Sequence, residues 1–407
     1  MTLLRSTMHI LTVADTFFPD MPNGLSRVAW DVARAMAKQG HEVSLLAGDQ
    51  SASSRTGDLH QETRDGVRVF LYPKPVMSAL DPFRATKQIH DVAAALRLIL
   101  RQIPCDILHC HSIFTAHAAM TAAPDVPRLQ TIHSPAIQEL SYNWANNGLI
   151  GRVTGLVGKS SLHHLEQRAM AAAARRHALS RFTVAQMQRE YPDFAGGYDV
   201  IPHWADDKWF RSVKKAEARE RLGWPADEPI LFTVRQLRQR YGIDTAVEGI
   251  SPLAKAGKCR FFIGGDGQER GRLQGLINRL GATERVRLMG HITDENLRLG
   301  YQAADAFILP TRALECFGLI ILEALACGLP VIGTSIGAIP ENLAPVLPDW
   351  IIPADDPIAL RRKVEAFLEG QLSAPPVTRL TEYVSAHFEK SRIVGLYEQL
   401  FAEVIRQ

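Results

Sequence analysis

The sequence predicts an α/β protein with two Rossmann-like domains, each a parallel sheet covered by helices. Its 407 residues exceed what one ordinary hydrophobic core accommodates, so two domains are expected. In both halves short apolar runs alternate with amphipathic stretches, the pattern of βαβ units. No short-period repeat is present, which excludes solenoids and propellers.

The N-terminal half carries the first set of alternating elements. Strands are predicted over residues 8–14, 42–47, 67–72, 106–111 and 128–133. Helices are predicted over residues 26–39 and 86–102, the first with Ser26 as its N-cap and Gly40 as its stop.

The C-terminal half repeats this order. Strands are predicted over residues 230–234, 260–263, 286–289, 306–309 and 331–333, with helices between them. Pro202, in the stretch YDVIPHW, breaks regularity and marks the expected domain boundary. A helix is expected from Pro357 to about Gly370, and an amphipathic helix over residues 389–406.

Composition excludes several functional classes. The apolar fraction is 46%, and no uninterrupted apolar run reaches about 18 residues, so no membrane span is expected. The net charge of +3 is too small to indicate nucleic-acid binding. The N-terminal segment lacks a small-residue cleavage site, and the five scattered cysteines show neither disulfide nor metal spacing. These features predict a cytoplasmic chain with reduced thiols.

The stretch 304–341 is the most informative part of the chain. A strand is followed by a polar loop and by a helix predicted over residues 317–327, which ends at Gly328. Glu315 in the loop and Glu323 in the helix are eight residues apart. The helix N-terminus suits an anion such as a diphosphate. Because Glu323 lies within the apolar run LIILEALA, its charge needs a partner, and a ribose diol would suit.

This segment resembles the signature of the retaining glycosyltransferases of family four. The resemblance rests on the Glu-x7-Glu spacing, FG after the first Glu, LEA around the second, and GLPVI beyond the helix. It implies the GT-B fold, in which two Rossmann-like parallel-sheet domains face a central cleft. The implied domains are residues 1–200, which bind the acceptor, residues 201–385, which bind the nucleotide-sugar donor, and a C-terminal helix, 386–407, that packs back on the first domain.

The resemblance assigns the donor diphosphate to basic residues after a strand. In FTVRQLRQRYGID, Arg235 matches the family's arginine, whereas Tyr241 stands where a lysine is usual and Arg240 precedes it. An arginine can hold a phosphate through two hydrogen bonds. Arg235 and Arg240 are therefore the expected cation pair. An alternative stays open, that this is one exposed basic turn, since Arg238 is also present.

Further donor-site residues follow from the same resemblance. Glu323 is expected to bind the ribose hydroxyls and Glu315 to lie near the transferred sugar, with Cys316 where the family has glycine. IGGDG is not a G-x-G-x-x-G dinucleotide fingerprint, but it matches the family's glycine turn. The expected donor-binding residues are Arg235, Arg240, Gly265, Asp266, Gly267, Gly290, Phe317, Gly318, Leu319 and Glu323.

Three further sites belong to the N-terminal half. Asn23 and Gly24 match the family's acceptor-side Gly-Gly loop, although a plain βα connection is an equal alternative. His109 and His111 alternate on a strand, but no third ligand accompanies them, so no metal site is expected. His133 matches the family's histidine that reaches the donor sugar or its phosphates. The expected catalytic residues are Glu315, His133 and Arg235.

Residues 149–176 mix apolar and basic residues, with Glu166 as the sole acid. Such a segment suits the surface of an anionic membrane, for example the inner membrane face, while an ordinary amphipathic helix is the simpler interpretation.

The implied reaction transfers a sugar from a UDP- or GDP-sugar, GDP-mannose included, to an acceptor hydroxyl with retained anomeric configuration. The acceptor is expected to be a saccharide or a lipid-linked molecule, in polysaccharide, glycan or glycolipid biosynthesis. No cofactor, essential metal or nucleic acid is implied. The alternatives are a nucleotide-sugar epimerase, a glycogen-synthase-like polymerase, and a non-catalytic nucleotide-sugar-binding subunit that has accumulated the departures at Asn23, Tyr241 and Cys316.

Overall fold

The computed structural model describes residues 7–18, 20, 23–50, 59–74, 84–145, 148–210 and 213–407, without the side chains of 143–145 and 148–157. The chain forms two compact units. The first comprises Met1–His203 with Ser391–Gln407, and the second comprises Trp204–Lys390. The C-terminal segment thus belongs to the first unit.

The described residues of the first unit form an eight-stranded sheet with the order β3-β4-β2-β1-β5-β6-β7-β8. All pairs are parallel except β3 with β4. The strands are β1 (His9–Val13), β2 (Glu42–Asp49), β3 (His60–Arg64), β4 (Val67–Pro73), β5 (Ile107–Cys110), β6 (Arg128–Ile132), β7 (Arg175–Ala178) and β8 (Tyr198–Val200). The helices are α1 (Gly24–Lys38), α2 (Arg84–Gln102), α3 (Ile113–Ala122), α4 (Ala136–Ala145), α5 (Gly148–Ala172), α6 (Arg181–Glu190) and, from the end of the chain, α15 (Lys390–Arg406).

The five predicted strands of this half are confirmed, because the central strands are buried on both faces and therefore read as apolar runs. Strands β3, β7 and β8 were not predicted. The sequence of β3 is HQETR, which suits a solvated edge strand and gives no apolar signal. The sequence of β7 is RRHA, which likewise does not read as a strand.

The start of α1 differs from the prediction. Asn23, not Ser26, is the N-cap, and its side-chain Oδ1 accepts a hydrogen bond from the amide of Ser26 at 2.9 Å. The Asn23 amide group also donates to Thr16 Oγ1 at 3.0 Å. The residue expected to belong to an acceptor loop therefore has a structural role at the helix terminus.

The second unit contains a six-stranded parallel sheet within the described residues, with the order β11-β10-β9-β12-β13-β14. The strands are β9 (Ile230–Val234), β10 (Arg260–Gly264), β11 (Val286–Gly290), β12 (Ala306–Leu309), β13 (Val331–Thr334) and β14 (Ile351–Ile352). The helices are α7 (Lys215–Leu222), α8 (Ile243–Lys255), α9 (Arg270–Arg279), α10 (Asp294–Ala303), α11 (Leu319–Ala326), α12 (Ile339–Leu343), α13 (Pro357–Leu368) and α14 (Val377–His387).

The strand order of this sheet changes direction between β9 and β12. Chain connections lead from β9 towards β10 and β11 on one side, and from β12 towards β13 and β14 on the other. In open parallel sheets, ligands bind at the carboxyl ends of the strands at such a switch point. The residues that follow β9 and β12 are Arg235 and the loop that contains Glu315.

We predict that Asn23→Ala lowers the free energy of unfolding by about 1 kcal/mol, because the amide of Ser26 loses its cap. Asn23→Ser is the matched control, since serine caps helices about as well as asparagine. Urea unfolding of the full chain measures both variants. Equal stability of the alanine and serine variants would contradict the assignment of the cap.

Candidate functional site

An ion pair joins the two strands at the switch point of the second unit. Arg235 follows β9, and its Nη2 donates to Glu315 Oε2 and, at 3.2 Å, to Thr311 Oγ1. The two paired side chains are only 13% and 10% exposed. The Arg235 Nε is buried and has no hydrogen-bond partner among the described residues. Burial lowers the pKa of Arg235 from its usual value, so the free site holds a costly charge.

Tyr241 occupies the position of the expected lysine and organises the two arginines. The guanidinium groups of Arg235 and Arg240 lie over its ring at 4.6 and 4.8 Å from the centroid. The Arg240 Nη2 also donates to the Tyr241 hydroxyl at 2.8 Å. The structure therefore brings the expected cation pair together around one aromatic ring, whereas Arg238 is exposed.

The glycine turn after β10 fits closely against the residue that follows β9. The amide of Arg235 donates to Gly264 O at 3.0 Å, and the amide of Gly265 donates to Gly290 O at 2.7 Å. Gly265 has φ +107°, and a Cβ there would lie 1.8 Å from the Arg235 carbonyl oxygen. Only glycine fits at this position, so the turn fixes the backbone that carries Arg235.

The remainder of this turn is built in the same way. The amide of Leu237 donates to Asp266 O at 2.9 Å, and the amide of Glu269 donates to Leu237 O at 3.0 Å. A Cβ on Gly267 would lie 2.5 Å from the Leu237 carbonyl oxygen. The Asp266 carboxylate accepts from the amide of Gly267 at 2.7 Å. In the free protein, the Asp266 side chain therefore shapes the turn.

Glu323 lies in α11 and is 2% exposed. Its Oε2 accepts a hydrogen bond from the hydroxyl of Tyr301, on α10, at 2.9 Å. The sequence indicated that this buried carboxylate needs a partner, but it gave no signal that Tyr301 provides one. The carboxylate also acts on Cys327: burial and then Glu323 raise the pKa of this thiol.

The loop that carries Glu315 is strained and then ends at a glycine. Leu314 has φ +60°, a conformation that costs a non-glycine residue about 1–3 kcal/mol. Such strain is typical of functional sites. Cys316 is not among the residues with positive φ, so the turn does not require the glycine that the family usually has there. Gly318, with φ +84°, is the N-cap of α11, which begins at Leu319, two residues later than predicted.

The loop after β13 braces Glu315 from its backbone side. The amide of Ala338 donates to Glu315 O at 2.8 Å. Gly337 has φ +65°, and a Cβ there would lie 2.0 Å from the same carbonyl oxygen. The buried Asn342 donates through Nδ2 to Phe317 O. The sequence gave no indication of these contacts, because they join residues 23 and 25 positions apart in the chain.

A chain of hydrogen bonds connects four histidines in the first unit. His133 Nε2 lies 3.0 Å from His111 Nδ1, and His111 Nε2 lies 3.3 Å from His109 Nδ1. Thr131 Oγ1 lies 2.7 Å from His109 Nε2 and 2.9 Å from His177 Nδ1. His133 is half-buried and the other members are fully buried. Sequence reasoning missed His177 and Thr131, since β7 was not predicted.

This series of hydrogen bonds ends at the backbone carbonyl of Ile201, whose oxygen lies 2.8 Å from His177 Nε2. The rings of Tyr397 and Phe401, from α15, pack against His177 and His109 at 5.0 and 5.1 Å. Burial lowers the pKa of His133 to about 3 and that of His177 to about 4. It also lowers the pKa of His109 and of His111 well below the usual value. All four rings are therefore neutral at neutral pH.

The other candidate residues belong to the first unit. Asn23 is the N-cap of α1 and Gly24 its first residue, and His133 directly follows β6. Two basic residues of the 149–176 stretch contact other residues of the first unit, Arg175 through an ion pair and Arg176 through a hydrogen bond. Arg175 lies in β7 and binds Asp199 at 2.5 Å, and Arg176 donates to Gly196 O at 3.0 Å. The expected ordinary helix is confirmed as far as Ala172, where α5 ends, with Leu162, Ala169 and Met170 buried and Lys159 and Arg168 exposed.

The side chains of the apolar residues 149, 150, 153, 156 and 157 in that stretch, and of Arg152, lie outside the described residues. Within the described part of the chain, no helix is long and apolar enough to cross a membrane. The same residues include no group of three or more histidine, cysteine or acidic side chains arranged to hold a metal ion.

We predict that Gly337→Ala destabilises the protein by more than about 1 kcal/mol, because the new Cβ would meet Glu315 O and the positive φ is strained. Gly271→Ala in α9 is the matched control. No atom lies within 4 Å of its added Cβ, so its stability should stay equal or rise. Thermal or urea unfolding measures both, and a Gly337→Ala variant as stable as the control would disprove the brace.

We predict that stability falls as pH falls from about 6.5 towards 4, partly through His177. Its pKa is about 4 in the folded protein against 6.5 ordinarily, so in this window the unfolded chain binds a proton that the folded chain does not. At pH 5 this amounts to about 2 kcal/mol.

The variant that tests this is His177→Gln. Between pH 7.5 and 5, its free energy of unfolding should fall by about 2 kcal/mol less than that of the wild type. The control is His60→Gln, since the His60 side chain is 47% exposed. Urea unfolding at each pH gives the slopes. Equal slopes for wild type and His177→Gln would contradict a neutral, buried His177.

Two families match the chain, one for each half. The family "Glycosyltransferase Family 4" matches residues 22–209, and "Glycosyl transferases group 1" matches residues 214–385. Among curated proteins, the D-inositol 3-phosphate glycosyltransferase of Xylanimonas cellulosilytica is 25% identical over 357 residues, covering 83% of this chain and 81% of that protein. The N-acetyl-alpha-D-glucosaminyl L-malate synthase of Bacillus anthracis is 22% identical, covering 97% of this chain and 98% of that protein.

Solved structures show the same fold. The sucrose-phosphate synthase of Thermosynechococcus elongatus has a TM-score of 0.81 at 22% identity, covering 97% of this chain and all 100% of that one. Anabaena HepE, in complex with UDP and glucose, has a TM-score of 0.72 at 18% identity with the same coverage. The two α/β units, the Glu-x7-Glu segment and these matches confirm the predicted family and fold. The chain belongs to the glycosyltransferases of family four and has their GT-B fold.

Proposed function

We propose that this protein is a retaining glycosyltransferase that moves a sugar from a UDP- or GDP-sugar to an acceptor hydroxyl. The observation that carries the proposal is the buried pair of Arg235 and Glu315 at the switch point of the second sheet. It places a cation suited to a diphosphate beside a carboxylate suited to sugar hydroxyls. The UDP and glucose in the structure of Anabaena HepE support a uridine nucleotide as one candidate donor.

In this proposal, the ligand exchanges partners with the ion pair. The diphosphate binds the guanidinium groups of Arg235 and Arg240, and the sugar hydroxyls take over Glu315. The unpartnered Nε of Arg235 supplies a further donor. Glu323 accepts from the ribose hydroxyls while Tyr301 holds its other side. The glycine turn around Gly265 and Gly290 lines the nucleotide.

The proposed reaction breaks the bond between the anomeric carbon and the phosphate oxygen and forms a bond to the acceptor oxygen on the same face of the sugar. The acceptor proton moves to the leaving phosphate. Negative charge grows on that phosphate, and Arg235 and Arg240 stabilise it in a buried setting where charge interactions are strong. No side-chain base and no metal ion is required by this route, and His133 contributes as a substrate contact.

The proposed acceptor is a hydroxyl of a saccharide or of a lipid-linked molecule, and the proposed location is the cytoplasm, including the inner membrane face. The names of two relatives contain small acidic compounds, D-inositol 3-phosphate and L-malate. Acceptor panels should therefore include hydroxyl compounds that carry phosphate or carboxylate groups. Asn23 and Gly24 are the proposed acceptor-side loop, in addition to the helix cap described above.

We predict that Arg235→Lys and Glu323→Gln each weaken binding of UDP or GDP by about 10- to 100-fold, because each removes charge-assisted hydrogen bonds. Glutamine at position 323 keeps an acceptor for Tyr301, so the fold should persist. Arg238→Lys is the matched control, since this residue is exposed on the same loop. Isothermal titration calorimetry measures the affinities.

Turnover is then tested with a panel of nucleotide sugars and acceptors, and the product anomer is read by NMR. Nucleotide release with a retained anomer supports the proposal. Binding without any turnover would indicate a non-catalytic subunit, and an altered sugar on the same nucleotide would indicate an epimerase. Unchanged nucleotide affinity in both variants would overturn the assigned donor site.

A further inference from the structure

We infer that His109, His111, Thr131 and His177 act as a positioning relay that fixes one neutral tautomer of His133, with the proton on Nε2 and the lone pair on Nδ1. The role of this tautomer in binding a substrate rests on the proposed function. The tautomer itself can be observed in the free protein without activity. It starts from the hydrogen-bond chain that runs from His133 to the carbonyl of Ile201.

The carbonyl of Ile201 sets the direction of the whole chain. A carbonyl oxygen can only accept, so the His177 Nε2 that lies 2.8 Å away must carry a proton. A neutral imidazole has one proton, so His177 Nδ1 is an acceptor, and the Thr131 hydroxyl at 2.9 Å donates to it. That hydroxyl has no second proton, and it therefore accepts from His109 Nε2 at 2.7 Å.

The same reasoning continues along the two remaining bonds. With its proton on Nε2, His109 accepts through Nδ1 from His111 Nε2 at 3.3 Å. His111 then accepts through Nδ1 from His133 Nε2 at 3.0 Å. His133 is thereby left with an Nδ1 that can only accept. One backbone carbonyl, five hydrogen bonds away, thus decides the tautomer of the half-buried ring of His133, which follows β6.

The opposite direction would require a charged ring inside the core. If Thr131 accepted from His177 Nδ1, His177 would carry protons on both nitrogens, because Nε2 must still donate to Ile201. Three kinds of group surround His177. The hydroxyl of Tyr397, a residue of α15, lies 3.4 Å from its Nε2, and the neighbouring histidines and Asp199 on β8 act on its charge. Burial outweighs Asp199 and keeps the ring neutral.

The fixed tautomer narrows what His133 can recognise. An acceptor nitrogen pairs with a hydroxyl of the transferred sugar or of the acceptor molecule, whereas it repels a phosphate oxygen, which is also an acceptor. In the proposed reaction His133 therefore contacts a substrate hydroxyl through Nδ1. The relay residues act through His133, and none of them needs to touch a substrate.

The first test is direct observation of the tautomers. The chain has 14 histidines. Long-range proton–nitrogen NMR on protein labelled at histidine separates the two neutral tautomers and the charged form, and the His133 signal is assigned by its loss in His133→Asn. The expected result is the Nε2-protonated neutral form of His133 at pH 7. A proton on Nδ1, or a charged ring, would overturn the inference, whether or not the protein transfers sugar.

The second test cuts the relay at Thr131. Thr131→Ser keeps the hydroxyl and should retain the wild-type His133 signal, whereas Thr131→Val removes it and should give a mixture of tautomers. In the active enzyme, Thr131→Val should raise the KM of the substrate that His133 contacts by about fivefold, the loss of one hydrogen bond, and leave UDP affinity unchanged. Thr131→Ser should restore the KM.

Equal effects of valine and serine, or an unchanged His133 signal in Thr131→Val, would refute the relay. If Thr131→Val does not fold, the wild-type spectrum and the serine variant still decide. Absence of nucleotide-sugar binding would count against the proposed function alone, since the tautomer is read in the free protein.

Discussion

The buried pair of Arg235 and Glu315 is the interaction on which the proposed donor site of the second unit depends. A buried ion pair contributes little to stability, because desolvation offsets most of the attraction, but loss of one partner costs about 3–5 kcal/mol. The two residues are brought together by the strand order, since β9 and β12 are neighbours at the switch point. In the proposed function, the nucleotide sugar that separates them supplies both an anion for Arg235 and hydroxyl groups for Glu315.

The surrounding backbone explains how this pair is held in place. Gly265 lets the turn after β10 approach the carbonyl of Arg235, and Gly337 lets the loop after β13 approach the carbonyl of Glu315. Each charged residue is thus fixed by a glycine from the next strand of the sheet. The strained Leu314 is tolerated because Glu315 beside it is held through this contact. Preorganisation of this kind lowers the cost of ordering the site when a ligand binds.

The sequence predicted the parts of the fold that have a local signal. Strands such as β9 and β12 are apolar runs of four or five residues, and their ends were predicted correctly. Glu315 and Glu323 were predicted as site residues from the Glu-x7-Glu spacing, and Arg235 from the resemblance of the segment that follows β9. The partners of these residues were not, because Tyr301 and Gly337 come from other elements and their identity depends on packing. The polar strand β7 was missed because its sequence, RRHA, gives no apolar signal, and His177 was missed with it.

The two units use buried polar groups in opposite ways. In the second unit, Arg235 is a buried charged group at the carboxyl end of β9, and its Nε has no hydrogen-bond partner among the described residues. In the first unit, three buried histidines and the half-buried His133 are neutral rings, because burial disfavours an added proton. A neutral chain of donors and acceptors has a direction but no net charge. It can therefore fix the tautomer of His133 without adding a net charge to the core of the first unit.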